Sequence, residues 1–301
     1  MVNGKPLNGV LFLLLLVFLG ASVSSFFGLV ISELALGIPL LTNQSLLDSL
    51  ANPELLPALR LLQVLQGLGM LVVPAVIYIL VVFEKHELRS IFGKLNRQSV
   101  LVSLVFFMVA FPMVNYLAGW NSSVDLPTFL GHWMEGKESQ AGELTALFLD
   151  MPTVGLLIFN LIMIALIPAV GEELIFRGII QRGLIRQFGN PHLGIWLAAI
   201  LFSAIHLQFL GFLPRMLMGV AMGYLFYWSG NLWYPMIAHF TNNAVSVVLA
   251  YSIQHGMVEA ELENAGLENG VMAAFSLLLC MMLLYLFKQH EATRGSKPTF
   301  E

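Results

Sequence analysis

The chain contains about eight runs of nearly continuous apolar residues, each close to the length that crosses a lipid bilayer. A membrane-spanning helix needs about 20 consecutive, mostly apolar residues. Of the 301 residues, 58% are hydrophobic and only 11% are charged, whereas a soluble domain carries roughly 25% charged residues. The sequence therefore predicts an all-α polytopic membrane bundle of about eight transmembrane helices. These lie near residues 9–32, 60–83, 99–119, 154–181, 192–208, 212–229, 232–253 and 269–288.

The rest of the pattern favours one membrane domain over residues 1–301. The first apolar run is longer than the 7–15 residues of a typical signal-peptide core, which favours an uncleaved first span. Two longer connections, about 33–59 and 120–153, are expected to hold short interfacial helices. The net charge of -4 argues against nucleic acid as a partner, because phosphate binding needs a basic surface.

Lysine and arginine are unevenly distributed, which predicts the orientation of the chain. With the N-terminus in the cytoplasm, only Arg60, Lys137 and Arg215 lie toward the outside, and Arg177 lies within a span. Both termini are then cytoplasmic, and we expect a multi-pass protein of a bacterial inner or plasma membrane. The cytoplasmic cations are Lys5, Lys85, Arg89, Lys94, Arg97, Arg182, Arg186, Lys288, Arg294 and Lys297.

Charged residues interrupt the fourth apolar run. A charge at the bilayer centre costs roughly 2.5–3.5 kcal/mol on insertion scales, so such residues usually pair or face a wet cavity. Glu173 and Arg177 are four residues apart and can pair on one helix face. Glu172 lies about 100° away and has no obvious local partner. Pro168, one turn earlier, predicts a kink.

Two later runs carry histidines. Phe202 and His206 are four residues apart on one run, and His239 and Asn243 have the same spacing on another, so each pair shares a helix face. Each feature has a structural interpretation, since intramembrane His, Asn and Glu–Arg pairs also join helices by hydrogen bonds. The GxxxG pattern of Gly219 and Gly223 favours close helix packing.

Together, these residues are suited to acid–base chemistry. A glutamate kept from bulk water can take a proton from a water molecule near neutral pH, and a histidine can hold that water. A second histidine and an asparagine amide can donate hydrogen bonds to the oxyanion of an attacked carbonyl. The sequence offers no serine–histidine or cysteine–histidine set that would suggest a nucleophilic enzyme instead, and it contains no phosphate-binding glycine loop.

The three motifs resemble those of the CPBP family (CAAX proteases and bacteriocin-processing enzymes, also called Abi). They are Glu172-Glu173-x-x-x-Arg177, Phe202-x-x-x-His206 and His239-x-x-x-Asn243, within a catalytic core at about 155–250. The resemblance implies about eight helices around a cavity open to the cytoplasmic side and to lipid. By analogy with type II CAAX prenyl endopeptidases, Glu172 is expected to be the base and His206 to position the water. His239 and Asn243 are expected to bind the oxyanion, with Glu173, Arg177 and Phe202 supporting them.

The expected function is therefore an intramembrane endopeptidase acting on a lipidated or membrane-associated peptide. A catalytically idle scaffold and a proton-coupled transporter remain as alternatives. We favour a metal-independent glutamate mechanism, because the sequence lacks the His-Glu-x-x-His zinc signature. A Zn²⁺ ion held by Glu172, His206 and His239 remains the alternative cofactor.

Overall fold

A computed structural model describes residues 6–40, 42, 53–124 and 128–295, and in these ranges the chain is helical and contains no strand. Short 3₁₀ helices lie at Pro53–Leu55 and Ala260–Asn264. The α-helices are α1 (Pro6–Leu36), α2 (Leu56–Val82), α3 (Lys85–Ile91), α4 (Arg97–Ser122), α5 (Thr128–Leu149), α6 (Val154–Phe188), α7 (Pro191–Ala204), α8 (Phe212–Ser229), α9 (Trp233–Gln254) and α10 (Gly270–Thr293).

The fold class is confirmed as an all-α membrane bundle. Among the described residues, six helices are long and apolar enough to cross a bilayer, namely α1, α2, α4, α6, α9 and α10. Helices α7 and α8 lie where the other two spans were predicted, but α7 has only 14 residues. Helix α8 has 18 residues and carries Pro214 and Arg215 in its first turn. The count of eight spans is therefore not confirmed.

The second long connection differs from its prediction. Instead of short interfacial helices, it forms the single 22-residue helix α5. No proline interrupts residues 128–149, and glutamate, lysine, leucine and alanine in this stretch favour a helix. In the first long connection, residues 41 and 43–52 lie outside the described residues, so its predicted interfacial helix is not tested there.

Successive spans run antiparallel, so their connections fall at two ends of the bundle. At one end, the Leu232 backbone N–H donates to the Ile91 carbonyl at 2.8 Å. This end, which we call the basic end, carries the described cations Lys85, Arg89, Lys94, Arg97, Arg182, Arg186, Lys288 and Arg294, with the carboxylates Glu84, Glu87 and Glu291.

At the opposite end, the Gln254 side chain donates to Asp150 at 2.7 Å and the Asn115 side chain donates to the Glu263 carbonyl at 2.9 Å. This end, which we call the acidic end, carries Arg60, Lys137 and Arg215 among its described cations. Its described carboxylates are Glu33, Glu54, Glu135, Glu138, Glu143, Asp150, Glu259, Glu261, Glu263 and Glu268.

Helix α6 passes through the middle of the bundle and is irregular. Its α-helical turns are interrupted by π-helical segments at Leu161–Leu166 and Leu174–Gln181, on either side of Pro168. Such segments occur frequently at functional sites. Helix α6 also approaches α2 closely at Gly171, where a Cβ atom would lie 2.5 Å from that of Leu71.

Candidate active site

Two adjacent glutamates at the centre of α6 have different environments. Glu173 has a fully buried side chain, whereas Glu172 lies on the wall of a cavity. Successive helical residues point about 100° apart, so the helix can direct one carboxylate into the protein and the other into open space. The sequence prediction that Glu172 and Glu173 occupy different faces is confirmed.

The buried Glu173 carboxylate joins two helices through one oxygen. Its Oε1 accepts hydrogen bonds from Arg177 Nη1 at 2.8 Å and from His239 Nδ1 at 2.9 Å. Its Oε2 is buried and has no hydrogen-bond partner among the residues that the structure describes. The Glu173–Arg177 ion pair predicted from the four-residue spacing is therefore present, and it includes a histidine that the spacing on α6 could not reveal.

Arg177 also links α6 to α8 through the GxxxG segment. Its Nη2 donates to the Gly219 carbonyl at 2.9 Å, and one turn later Gln181 Nε2 donates to the Gly223 carbonyl at 3.0 Å. A Cβ atom at Gly223 would lie 2.8 Å from the Gln181 side-chain oxygen. The two glycines thus allow the backbones to pack closely, as predicted, and they also present carbonyls to polar groups of α6.

His239 is held between the two glutamates. Its Nε2 lies 3.8 Å from Glu172 Oε2, which is too long for a hydrogen bond. Because Nδ1 donates to the Glu173 carboxylate, Nε2 is an acceptor when the imidazole is neutral and a donor only when the imidazole is protonated. The protonation state of His239 therefore decides whether it can donate to a substrate.

Phe202 connects the motif residues through its ring. The ring makes edge contacts with His206 and His239, at centroid separations of 5.2 and 5.9 Å. The Arg177 guanidinium carbon lies 4.8 Å from the ring centroid, a distance typical of a cation–π contact. The support that was expected from Phe202 thus has a direct structural basis in these contacts.

His206 follows the end of α7, on the connection to α8. Its Nδ1 lies 2.8 Å from the Phe202 carbonyl, so Nδ1 carries the proton and donates. In the neutral imidazole, the other nitrogen is then an acceptor, and His206 is also on the cavity wall. An acceptor nitrogen at this position suits a residue that binds a water molecule.

Asn243 lies one turn beyond His239 on α9. Its Nδ2 is 3.3 Å from the Ile164 carbonyl, and its Oδ1 accepts from the neighbouring Asn242 side chain at 3.0 Å. An amide nitrogen has two hydrogens, so one N–H remains for another acceptor. Asn242 was not predicted, and its contact orients the Asn243 amide.

A cavity of about 480 Å³ brings the motif residues together. Glu172, His206, His239 and Asn243 all contribute to its wall, and Glu173 and Arg177 do not. The remaining wall is largely apolar. It consists of Phe111, Val114, Asn115, Ala118, Pro168, Phe202, Gly211, Pro214, Arg215, Met218, Met222, Asn242 and Ser246.

Arg215 is a cavity residue that sequence reasoning missed. Its Nη2 donates to Gln208 at 2.8 Å, while its buried Nη1 has no hydrogen-bond partner within the described ranges. Arg215 lies close enough to Glu172 and Glu138 for their charges to interact. In the sequence it counted only as a cation toward the outside, although its place in the first turn of an apolar helix was an available signal.

The described part of the chain contains no group of three His, Cys, Asp or Glu side chains arranged to hold a metal ion. Glu172, His206 and His239 share the cavity but do not form such a group. The buried partner of His239 Nδ1 is a carboxylate, which resembles the outer partner of many zinc-bound histidines. Metal independence remains a prediction.

Comparisons with known proteins agree with the position of the three motifs. Residues 154–245 match the family model described as type II CAAX prenyl endopeptidase Rce1-like. The uncharacterized protein YpbD of Bacillus subtilis (strain 168) is 33% identical over 90 residues, which cover 29% of this chain and 43% of that protein. The similarity thus spans less than half of that relative.

No solved structure matches the chain. Helices α1–α5 and α10 lie outside the family match, which begins with α6 and ends within α9. The resemblance predicted from the three motifs is therefore confirmed for residues 154–245, which form an Rce1-like segment.

Proposed function

We propose that this chain is a membrane-embedded endopeptidase of the CAAX-protease type, in which Glu172 activates the attacking water. The observation that carries the proposal is the contrast between two adjacent carboxylates. Glu173 is buried and hydrogen-bonded to Arg177 and His239, whereas Glu172 lies on a cavity wall that both motif histidines also line. A carboxylate that can reach a substrate is what a general base requires.

The residues support a sequence of steps at the cavity wall. Glu172 takes a proton from a water that His206 Nε2 holds as acceptor, and the water oxygen attacks the peptide carbonyl carbon. Protonated His239, through Nε2, and the free Asn243 N–H donate to the oxyanion that forms. Glu172 then delivers its proton to the amide nitrogen, and the carbon–nitrogen bond breaks.

Glu173 and Arg177 have positioning roles in this proposal. Glu173 accepts from both His239 Nδ1 and Arg177 Nη1, which fixes the orientation of the imidazole beside the cavity. The apolar part of the wall, including Phe111, Met218 and Met222, suits an apolar or lipidated segment next to the cleaved bond. The substrate class is therefore a membrane-associated or lipidated peptide.

Cleavage by the purified full-length protein in detergent tests this proposal. A quenched farnesylated CAAX peptide and an unmodified apolar peptide are incubated with wild type, Glu172→Gln and His239→Ala. We expect wild type to cleave at least one peptide. Glu172→Gln should lower the rate by about 10²–10⁴-fold, the usual contribution of a general base. A Glu172→Gln protein with wild-type activity would exclude Glu172 as the base.

Glu291→Gln is the matched control, because Glu291 is a buried carboxylate near the basic end and away from the cavity. We expect this variant to retain activity when the folded protein elutes as wild type does. Equilibrated chelator should leave cleavage unchanged, and its loss would favour the zinc alternative. A folded wild type that cleaves neither peptide would favour the scaffold alternative.

A further inference from the structure

The cavity with the motif residues extends toward only one end of the bundle. Its wall includes His206 and Gly211 from the α7–α8 connection and Arg215 from the first turn of α8. This connection lies at the acidic end, because the Leu210 backbone N–H donates to Glu138 at 2.8 Å and the Asn121 side chain, at the end of α4, donates to the Phe209 carbonyl. The α4 residues on the cavity wall, which include Phe111 and Asn115, lie in the half of α4 that is nearer the acidic end.

Packed side chains close the path to the basic end. On α8, Met222 lines the cavity, but Leu225 and Phe226, one turn closer to the basic end, are fully buried in the core. On α9, Tyr234 is likewise fully buried, five residues before His239. Together with Phe287 of α10 these residues belong to one core cluster, so a substrate cannot reach Glu172 from the basic end without disrupting that core.

The two ends also differ in the charge that determines membrane orientation. Cytoplasmic connections carry an excess of lysine and arginine, and carboxylates contribute little to this bias. The basic end has eight described lysines and arginines, and the acidic end has three. The basic end is therefore the end that faces the cytoplasm.

We propose that the site opens to the non-cytoplasmic face of the membrane. Its substrates are then peptide segments presented on that face, either translocated peptides or the outer segments of membrane proteins. That the site has a peptide substrate at all rests on the proposed function. The direction in which the cavity opens is inferred from the cavity and the charge distribution alone. The cytoplasmic orientation of the termini and the cytoplasmic cavity implied by the family resemblance cannot both hold in this fold.

Cysteine labelling of the full-length protein in right-side-out bacterial spheroplasts tests the inference. The single native cysteine, Cys280, is buried and is first replaced by Cys280→Ala. Three variants are then made in this background: Leu210→Cys on the exposed α7–α8 connection, Ser246→Cys on the cavity wall, and Lys94→Cys on the exposed α3–α4 connection as the control for the basic end. The probe is a small, charged, membrane-impermeant thiol reagent.

We expect Leu210→Cys and Ser246→Cys to react in intact spheroplasts, and Lys94→Cys to react only after the membrane is permeabilised. Protection of Leu210→Cys until permeabilisation, with Lys94→Cys reactive from outside, would overturn the orientation. Reaction of Ser246→Cys only after permeabilisation would overturn the outward cavity, even if Leu210→Cys reacts outside.

Labelling needs a folded protein but no peptidase activity. A protein that cleaves peptides but labels from the cytoplasmic side would contradict this inference and leave the proposed function intact. A protein that labels as expected but cleaves no peptide would contradict the proposed function alone.

Discussion

The Glu173 carboxylate has both of its hydrogen bonds on one oxygen, and its second oxygen is buried without a partner in the described structure. Removing either partner of such a carboxylate should destabilise the folded protein, because an uncompensated charge is costly in a low-dielectric interior. Of the two partners, Arg177 is the one whose side chain stays charged at every pH near neutrality. Its contribution to stability can therefore be separated from the contribution of His239 to chemistry.

Arg177→Ala should lower the free energy of unfolding by about 3–5 kcal/mol, the cost of breaking a buried ion pair from one side. The substitution also removes the donor to the Gly219 carbonyl. The measurement is the apparent melting temperature in detergent. The double variant Glu173→Gln/Arg177→Met should recover part of the loss, because it removes the buried charge as well. A wild-type melting temperature for Arg177→Ala would contradict the supporting role.

At the level of helices, the sequence predicted the faces of α6 and α9 correctly because helical geometry is local. A four-residue spacing was enough to pair Glu173 with Arg177. The contact between Glu173 and His239 was not predictable, because it depends on how α6 packs against α9. The irregular turns of α6 were only partly predictable, since Pro168 signalled a distortion without showing that π-helical segments lie on both sides.

Two glycines of α6 give a prediction about helix packing. A Cβ at Gly171 would lie 2.5 Å from Leu71 Cβ, whereas a Cβ at Gly183 would meet nothing within 4 Å. Gly171→Ala should separate α6 from α2 and destabilise the protein by about 1–3 kcal/mol, as overpacking does. The separation would also displace the adjacent Glu172, so peptide cleavage should fall.

Gly183→Ala is the matched control on the same helix. It should be neutral or stabilise the protein by up to about 1 kcal/mol, because alanine favours a helix over glycine. Apparent melting temperatures and cleavage rates of both variants provide the measurement. Equal melting temperatures for the two variants would show that α6 and α2 can separate without cost.

Helix α3 is attached to the basic end of α6 through Glu87, which accepts from both Arg182 and Arg186. Burial raises the pKa of Glu87, but the Arg186 hydrogen bond and the charges of both arginines outweigh it and hold the pKa below its ordinary value of 4.5. A lowered pKa in the folded state means that this stabilisation is present above the unfolded-state pKa and is lost as pH falls through the folded value.

Wild type should therefore melt at a higher temperature than Glu87→Gln at pH 7. The difference should begin to shrink as the pH falls below about 4.5, and it should disappear below the lower folded-state pKa of Glu87, where the carboxyl is protonated in both states and resembles the glutamine. Apparent melting temperatures between pH 3 and pH 7, spanning the ordinary carboxyl range, test this expectation. A difference that stays constant across this range would show that the Glu87 charge contributes nothing.

For the whole molecule, hydrophobic runs predicted the bundle, and three motifs predicted which helices build the site. Hydrophobicity does not fix the number of spans, because α7 is short and the first turn of α8 carries Pro214 and Arg215. The direction of the cavity could not be predicted from either signal alone. Lysine and arginine orient the ends, but only the packing of α4, α7, α8 and α9 shows toward which end the cavity extends.

The charge of the acidic end predicts which peptides the site prefers. Asn115 lines the cavity and donates to the Glu263 and Ala265 carbonyls, which holds the connection with Glu259, Glu261, Glu263 and Glu268 near the site. Carboxylates around a cavity attract cationic ligands and increase their rate of association, and salt screens this effect.

On the basis of the proposed function, a peptide with lysines beside the cleaved bond should therefore show a higher kcat/KM than the same peptide with glutamates. We expect a difference of about tenfold or more at low salt that declines at high salt, since steering of this kind raises on-rates by 10–10³-fold. A variant with Glu259, Glu261, Glu263 and Glu268 all replaced by glutamine should lose much of the preference while keeping its rate on a neutral peptide. These substitutions leave the cavity wall unchanged, so a general loss of rate would indicate damage to the fold instead. Equal kcat/KM for the two charged peptides at low salt would exclude electrostatic selection at this end of the bundle.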